Sequence, residues 1–208
     1  MKKAMTLSYE VGQNLYINIT NQCSCNCIFC IRKNEDGAYG SDPLWLEHEP
    51  SMEEMQNDLL QRDLSKYQEL VFCGYGEPTM RLDFACELAK WIKSVQPGIC
   101  LRLNTNGLAD IYAPSQNGSA SALVSAVFDK VSISLNGGDS ETYLRVTNPR
   151  NKPENAYQTM LRFAQDCKAN GLDTCFTVVD IITPDEIKLA QEVADTLNIT
   201  LHVREYVS

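Results

Sequence analysis

Histidine is nearly missing from this chain of 208 residues, with His48 and His202 the only two. A zinc-stabilised binding module that needs imidazole as a fourth ligand therefore has little to draw on. Cations are also in deficit: 18 Lys and Arg stand against 27 Asp and Glu, for a net charge of -9 and a pI near 4.7. That balance excludes broad binding to a nucleic-acid backbone, which needs clustered Lys and Arg, although a local basic groove stays open. No apolar run approaches the length of a membrane span, and there are no low-complexity tracts. The first ten residues, Met-Lys-Lys-Ala-Met-Thr-Leu-Ser-Tyr-Glu, contain no apolar h-region. The sequence therefore leads us to expect a cytoplasmic protein with reduced thiols. Hydrophobic content of 44% and charge of 22% suit one compact domain over residues 1–208, large enough to bury a real core.

What the chain does have is cysteine, nine in all. Cys25, Cys73, Cys86, Cys100, Cys167 and Cys175 are scattered without paired spacing, which argues against a second metal centre. Cys23, Cys27 and Cys30 stand apart as a set, with three and then two residues between them, at the end of an apolar run. A cubane iron-sulfur cluster has four irons that usually take Cys thiolates, so three close cysteines leave one iron open. An open position points to chemistry rather than scaffolding. A zinc knot or a chance cluster is the bland alternative. Cys25 creates a rival spacing and is read as a bystander.

The rest of the chain alternates strand and helix. Strands are expected at Leu15–Thr20, Glu69–Gly74, Ile99–Thr105, Lys130–Leu135, Thr174–Ile181 and Leu201–Val207. Helices are expected from the capping pair Ser51 and Glu54 to about Leu64, then at Leu82–Val95, Ser119–Phe128, Pro153–Asn170 and Pro184–Leu197. Residues 31–51, broken by Gly37, Gly40, Pro43 and Pro50, form a long irregular loop carrying the exposed-looking pair Trp45 and Leu46.

Such alternation implies a parallel sheet with helices outside. Strand parity places Asn18 and Thr20, then Arg102, Asn104 and Asn106, then Ser132, Ser134 and Asn136, then His202, Arg204 and Tyr206 on shared faces. A doubly covered parallel sheet would be apolar on both sides. Repeated polar faces imply a lumen for a polar ligand, and six strands imply an α/β partial, open TIM-like (β/α)6 barrel. The cysteines, the Gly74-Tyr75-Gly76-Glu77-Pro78 turn, and the strand ends at Asn104–Gly107 and Asn136–Gly138 then gather at one rim.

With these motifs on one chain, the sequence resembles the radical S-adenosylmethionine (SAM) superfamily. The cysteine spacing, Phe29 before the last cysteine, and Tyr75-Gly76-Glu77 carry the resemblance. It implies that Cys23, Cys27 and Cys30 hold a [4Fe-4S] cluster whose fourth iron takes SAM, and that Gly74, Tyr75, Gly76 and Glu77 receive the methionyl amino group. It implies ribose contacts from Ser134 and Asn136 with Asn104 and Asn106 assisting, a methionyl carboxylate partner in Arg145, and Phe29 beside the adenine. It further implies an external one-electron donor, flavodoxin- or ferredoxin-like, and reductive cleavage of SAM to a 5′-deoxyadenosyl radical that takes hydrogen from a substrate.

A narrower resemblance, carried by Asn18-Ile19-Thr20-Asn21, Leu44–Glu47, Phe72–Thr79 and Val203–Tyr206, is to small radical SAM proteins linked to TatD-family metal hydrolases. It implies a functional link to such a hydrolase and names no substrate. Glycyl-radical activating enzymes and 7-carboxy-7-deazaguanine synthases are the competing small classes, and a non-catalytic iron-sulfur or zinc-binding module is the competitor of another kind.

Overall fold

The computed structural model describes residues 2–206. It builds one seven-stranded sheet whose spatial order follows the chain. β1 (Ser8–Val11) and β2 (Asn14–Ile17) form an antiparallel hairpin, while β3 (Glu69–Phe72), β4 (Cys100–Thr105), β5 (Lys130–Ser134), β6 (Asp173–Val179) and β7 (Thr200–Arg204) follow β2 in parallel. The sheet stays open, with β1 and β7 at its edges. Six parallel strands were expected and are present. The hairpin partner β1 was not, although its signal is short: Gly12 with φ of +60° opens a two-residue turn between two alternating runs, a favoured hairpin geometry.

Helices cover one face: α1 (Met52–Leu60), α2 (Leu82–Val95), α3 (Ala109–Tyr112), α4 (Ala120–Ser125), α5 (Ser140–Thr147), α6 (Ala156–Ala169) and α7 (Pro184–Thr196). The capping box at Ser51 and Glu54 forms as read, but α1 stops at Leu60 and a short 3-10 turn takes Leu64–Lys66. α3 and α5 are too short for a clear helical period and were not anticipated; the last strand was expected to run to Val207, which lies outside the described residues. No helix of the described residues is long and apolar enough to cross a membrane.

The core lies between this helical layer and the sheet. Along β4 burial alternates, so that Leu101, Leu103 and Thr105 turn inward to the helices and Arg102 and Asn104 to the other face. α2 meets that core with Leu82, Ala85, Cys86, Leu88, Ala89 and Ile92, one stripe of a helix. Each fully buried leucine contributes roughly 1.5–3 kcal/mol.

Strand register confirms the polar face: Asn104 pairs with Ser132, Ser132 with Cys175, Ser134 with Thr177, and Thr177 with His202. The sheet is curled around it. Burial and Cys73 push the Tyr16 hydroxyl up, while Arg102 and Arg204, the latter on β7, draw it back.

Residues 31–51 are no idle excursion. Leu44 and Leu46 are fully buried and Trp45 is half-buried, against the exposed placement expected for Trp45 and Leu46. Asn21 and Leu46 exchange two hydrogen bonds of 2.8 and 2.9 Å, Asn18 Nδ2 donates to the Leu44 carbonyl at 2.8 Å, and Thr20 donates to Glu49 at 2.7 Å. The loop closes over the polar side of β1–β3 with Tyr9, Ala38, Leu44 and Tyr75 as a small second core.

Candidate active site

The cysteine loop leaves β2 and is clamped to the end of α5. Asn26 and Ile28 amides donate to the Thr147 and Val146 carbonyls at 3.1 and 2.9 Å, and the Arg150 amide donates to Ser24 at 2.8 Å. Cys25 forms an isolated strand bridge with Pro149 and is buried, whereas Cys23, Cys27 and Cys30 are half-buried. Cys25 and Cys27 share a hydrogen bond that holds the Cys27 thiol below and the Cys25 thiol above the usual range. Burial pushes the Cys23 thiol up to about 12, with the Glu77 carboxylate adding to it.

Among the described residues no three Cys, His, Asp or Glu side chains converge to hold a metal ion. His48 pairs with Glu54 at 2.8 Å, and His202 sits on β7, so neither joins the cysteines. Three thiols spread along one loop suit a multi-iron cluster, in which each thiolate serves a different iron. They do not suit a tetrahedral zinc site.

The turn after β3 is locked against that loop. A Cβ on Gly76 would stand 2.3 Å from the Thr20 carbonyl oxygen and 2.6 Å from that of Gln22; one on Gly74 would stand 2.1 Å from Asn18 Oδ1. The glycines, expected to admit a ligand, thus admit the cysteine-bearing segment itself. Gly76→Ala should cost about 1–3 kcal/mol through backbone displacement, seen as an earlier urea midpoint. A wild-type midpoint would show that the close approach carries no weight. Tyr75 points the other way, donating to the Glu35 and Gly37 carbonyls at 2.6 and 2.9 Å and meeting Trp45 edge-on at 5.4 Å. Its hydroxyl is therefore committed to the loop.

Glu77 is buried, and its carboxylate gathers the rim. Oε1 accepts from the Thr79 amide at 3.0 Å, the Thr79 hydroxyl at 2.8 Å and the Thr105 hydroxyl at 2.7 Å; Oε2 accepts from the Asn106 amide at 2.8 Å. Asn106 Nδ2 then donates to Ser24 Oγ at 2.8 Å, and the Glu77 amide donates to Gln22 at 2.7 Å. One carboxylate so joins the turn, the end of β4 and the cysteine loop. Burial raises its pKa, partly offset by the Thr105, Asn106 and Thr79 hydrogen bonds. Oε2 keeps acceptor capacity for one more donor.

The other residues implied by the resemblance divide. Asn104 lies on the polar face with a buried Oδ1 that has no partner. Ser134 is half-buried at the end of β5, and Asn136 holds a left-handed φ of +51° with its amide on the Thr177 carbonyl at 3.2 Å; neither is bonded to the cysteine loop. Arg145, on α5, is exposed and paired with Glu186. Glu186 also caps the N-terminus of α7, so the guanidinium ties two helices. Phe29 packs against Val146, Val178 and Ile182. Sequence reasoning missed Thr79 and Thr105, whose role depends on a carboxylate brought from another strand, and Ser24, hidden between cysteines.

A family model described as the radical SAM superfamily matches residues 17–198. A probable GTP 3′,8-cyclase of Pyrococcus abyssi (strain GE5 / Orsay) is 29% identical over 137 residues, covering 64% of this chain and 38% of that protein. Among solved structures, Streptococcus suis SuiB bound to S-adenosylmethionine aligns with a TM-score of 0.69 at 16% identity, over 94% of this chain and 39% of SuiB. Native anSMEcpe with bound AdoMet aligns with a TM-score of 0.63 at 15% identity, over 93% of this chain and 51% of that one. These likenesses support the partial-barrel fold, and the chain spans about two-fifths to half the length of these proteins. With the family model covering most of its length, the chain belongs to the radical SAM superfamily, whose enzymes use a [4Fe-4S] cluster and S-adenosylmethionine.

Proposed function

We propose that this chain is a radical SAM enzyme in which Cys23, Cys27 and Cys30 each hold one iron of a [4Fe-4S] cluster. When bound and reduced, that cluster supplies the electron that cleaves SAM to methionine and a 5′-deoxyadenosyl radical, which takes hydrogen from the substrate. The observation that carries the reading is the hydrogen-bonded rim, in which Glu77, Asn106 and Ser24 join the glycine turn and β4 to the cysteine loop.

On this reading, the Glu77 Oε2 acceptor receives the methionyl amino group. The buried, unpartnered Asn104 Oδ1 faces the polar lumen as an acceptor for ligand hydroxyls, with Ser134 and Asn136 completing the ribose side. Arg145 would have to leave Glu186 to reach a carboxylate, so its ion pair argues for a structural role. The 31–51 loop, whose Trp45 packs on Tyr75, shields the β1–β3 side from water, a benefit to radical chemistry.

The substrate belongs to the same proposal. The narrower resemblance links the chain to a TatD-family hydrolase, so molecules accepted by such a hydrolase are the first candidates; GTP joins them because of the cyclase relative's name. Anaerobically reconstituted and reduced protein should convert SAM to 5′-deoxyadenosine and methionine, followed by liquid chromatography. A fully loaded cluster with no cleavage would sink the enzyme reading. Deuterium carried from a labelled candidate into 5′-deoxyadenosine would identify the substrate.

A further inference from the structure

The cysteine loop, from Cys23 to Asn26, borders a cavity of about 710 Å³ whose other wall is residues 148–152. Arg32, Arg150 and Lys152 line it, with no Asp or Glu among its lining residues. Lys33 extends the patch, its Nζ on the Cys27 carbonyl at 2.7 Å. None of these four cations has an ion-pair partner among the described residues. Arg32 and Lys33 also line an adjoining cavity with Glu35 and Asp36, so in a chain of net charge -9 the exposed pair Arg150 and Lys152 is the part of the patch that calls for a partner.

The backbone holds the patch in place. Asn148, Asn151 and Lys152 all take left-handed φ, at +43°, +60° and +42°. That region is uncommon for lysine and costs about 1–3 kcal/mol where a non-glycine residue is held in it. Ile28, in the cysteine loop itself, is 52% exposed, giving an apolar contact beside a charged rim as protein interfaces do.

We propose that this patch is the docking surface for an acidic one-electron donor protein. The inference rests on the reading of Cys23, Cys27 and Cys30 as cluster ligands. The proposed SAM contacts Glu77, Asn104 and Asn106 are not among the residues lining this cavity, which leaves this side of the loop to a donor protein. Arg32 and Lys33 lie two and three residues after Cys30 in the chain, and the Arg150 amide binds the loop at Ser24, so the positive surface lies next to the proposed metal ligands. Exposed Arg150 and Lys152 on long stems suit a broad negative surface, which charge steers into contact.

The test pairs Arg150→Glu/Lys152→Glu with the wild type, using an acidic flavodoxin as the probe. Calorimetric titration at low ionic strength should show the flavodoxin Kd weakened at least about tenfold in the variant, with the wild-type Kd rising steeply with salt. Reduction of the reconstituted cluster by flavodoxin hydroquinone should slow to match, while reduction by methyl viologen radical stays at the wild-type rate. An unchanged Kd, an equal loss with both reductants, or tripolyphosphate binding that leaves flavodoxin binding untouched would each overturn the proposal. Binding is read without turnover, so a wild-type chain that fails to cleave SAM would refute the enzyme reading and leave this measurement interpretable.

Discussion

A Cys27→Ala chain should take up almost no stable [4Fe-4S] cluster on anaerobic reconstitution, while Cys25→Ala should load close to the wild-type amount of iron and sulfide. The contrast follows from where the thiols sit. Cys25 is buried, bridged to Pro149, and its sulfur lies 3.6 Å from Asn106 Nδ2. Its removal trims a packed side chain and costs about 1–2 kcal/mol of stability. Cys27 is half-buried on the same loop, and losing one of three thiolates leaves two irons without a protein ligand. Iron and sulfide analysis with visible absorbance decides the matter. If Cys25→Ala lost the cluster and Cys27→Ala kept it, the ligand set would be Cys23, Cys25 and Cys30, and the reading of the loop would fail.

The alternation of apolar runs and helical stripes was enough to place six parallel strands in order, because a buried strand and an amphipathic helix leave separate periodic marks. The shared polar face was legible in the same way: Asn104, Ser132, Ser134 and His202 lie on it by register. What stayed hidden depends on contacts between distant residues. Trp45 and Leu46 look like surface residues in a broken stretch, yet Asn21 pins the Leu46 backbone, Leu46 is fully buried and Trp45 is half-buried. Nothing in the composition of residues 31–51 encodes that. Likewise Gly74 and Gly76 could be read as places of close approach, but not as approach to Asn18 and Thr20 rather than to a ligand. Arg145 is the reverse case, its position after β5 being legible and its partner, Glu186 on α7, set only by how two helices pack.

Glu77→Ala should be the most damaging single change at the rim. It strands the Thr79 and Asn106 amides and the Thr79 and Thr105 hydroxyls in a buried setting. Hydrogen bonds to a charged group contribute about 1.5–3 kcal/mol each, so with partial relaxation the loss should be about 3–5 kcal/mol. Because Asn106 also holds Ser24, the cysteine loop should loosen and cluster loading fall with stability.

Glu77→Gln separates structure from ligand binding. It keeps the shape but sets an amide where a carboxylate accepts, so it should retain the cluster and weaken SAM binding about tenfold, or about 1.4 kcal/mol. Wild-type SAM affinity in a destabilised Glu77→Gln protein would show that the carboxylate only braces the turn. Burial raises the Glu77 pKa in the folded chain. The native state thus binds the proton more tightly than the unfolded state, and this group's contribution to stability falls as pH rises above the usual carboxylate range. An ammonium-like donor on Oε2 favours the charged form and offsets that loss. SAM should therefore release part of a proton on binding in that pH window, measurable by titration in buffers of different ionisation enthalpy. Glu77→Gln should release none.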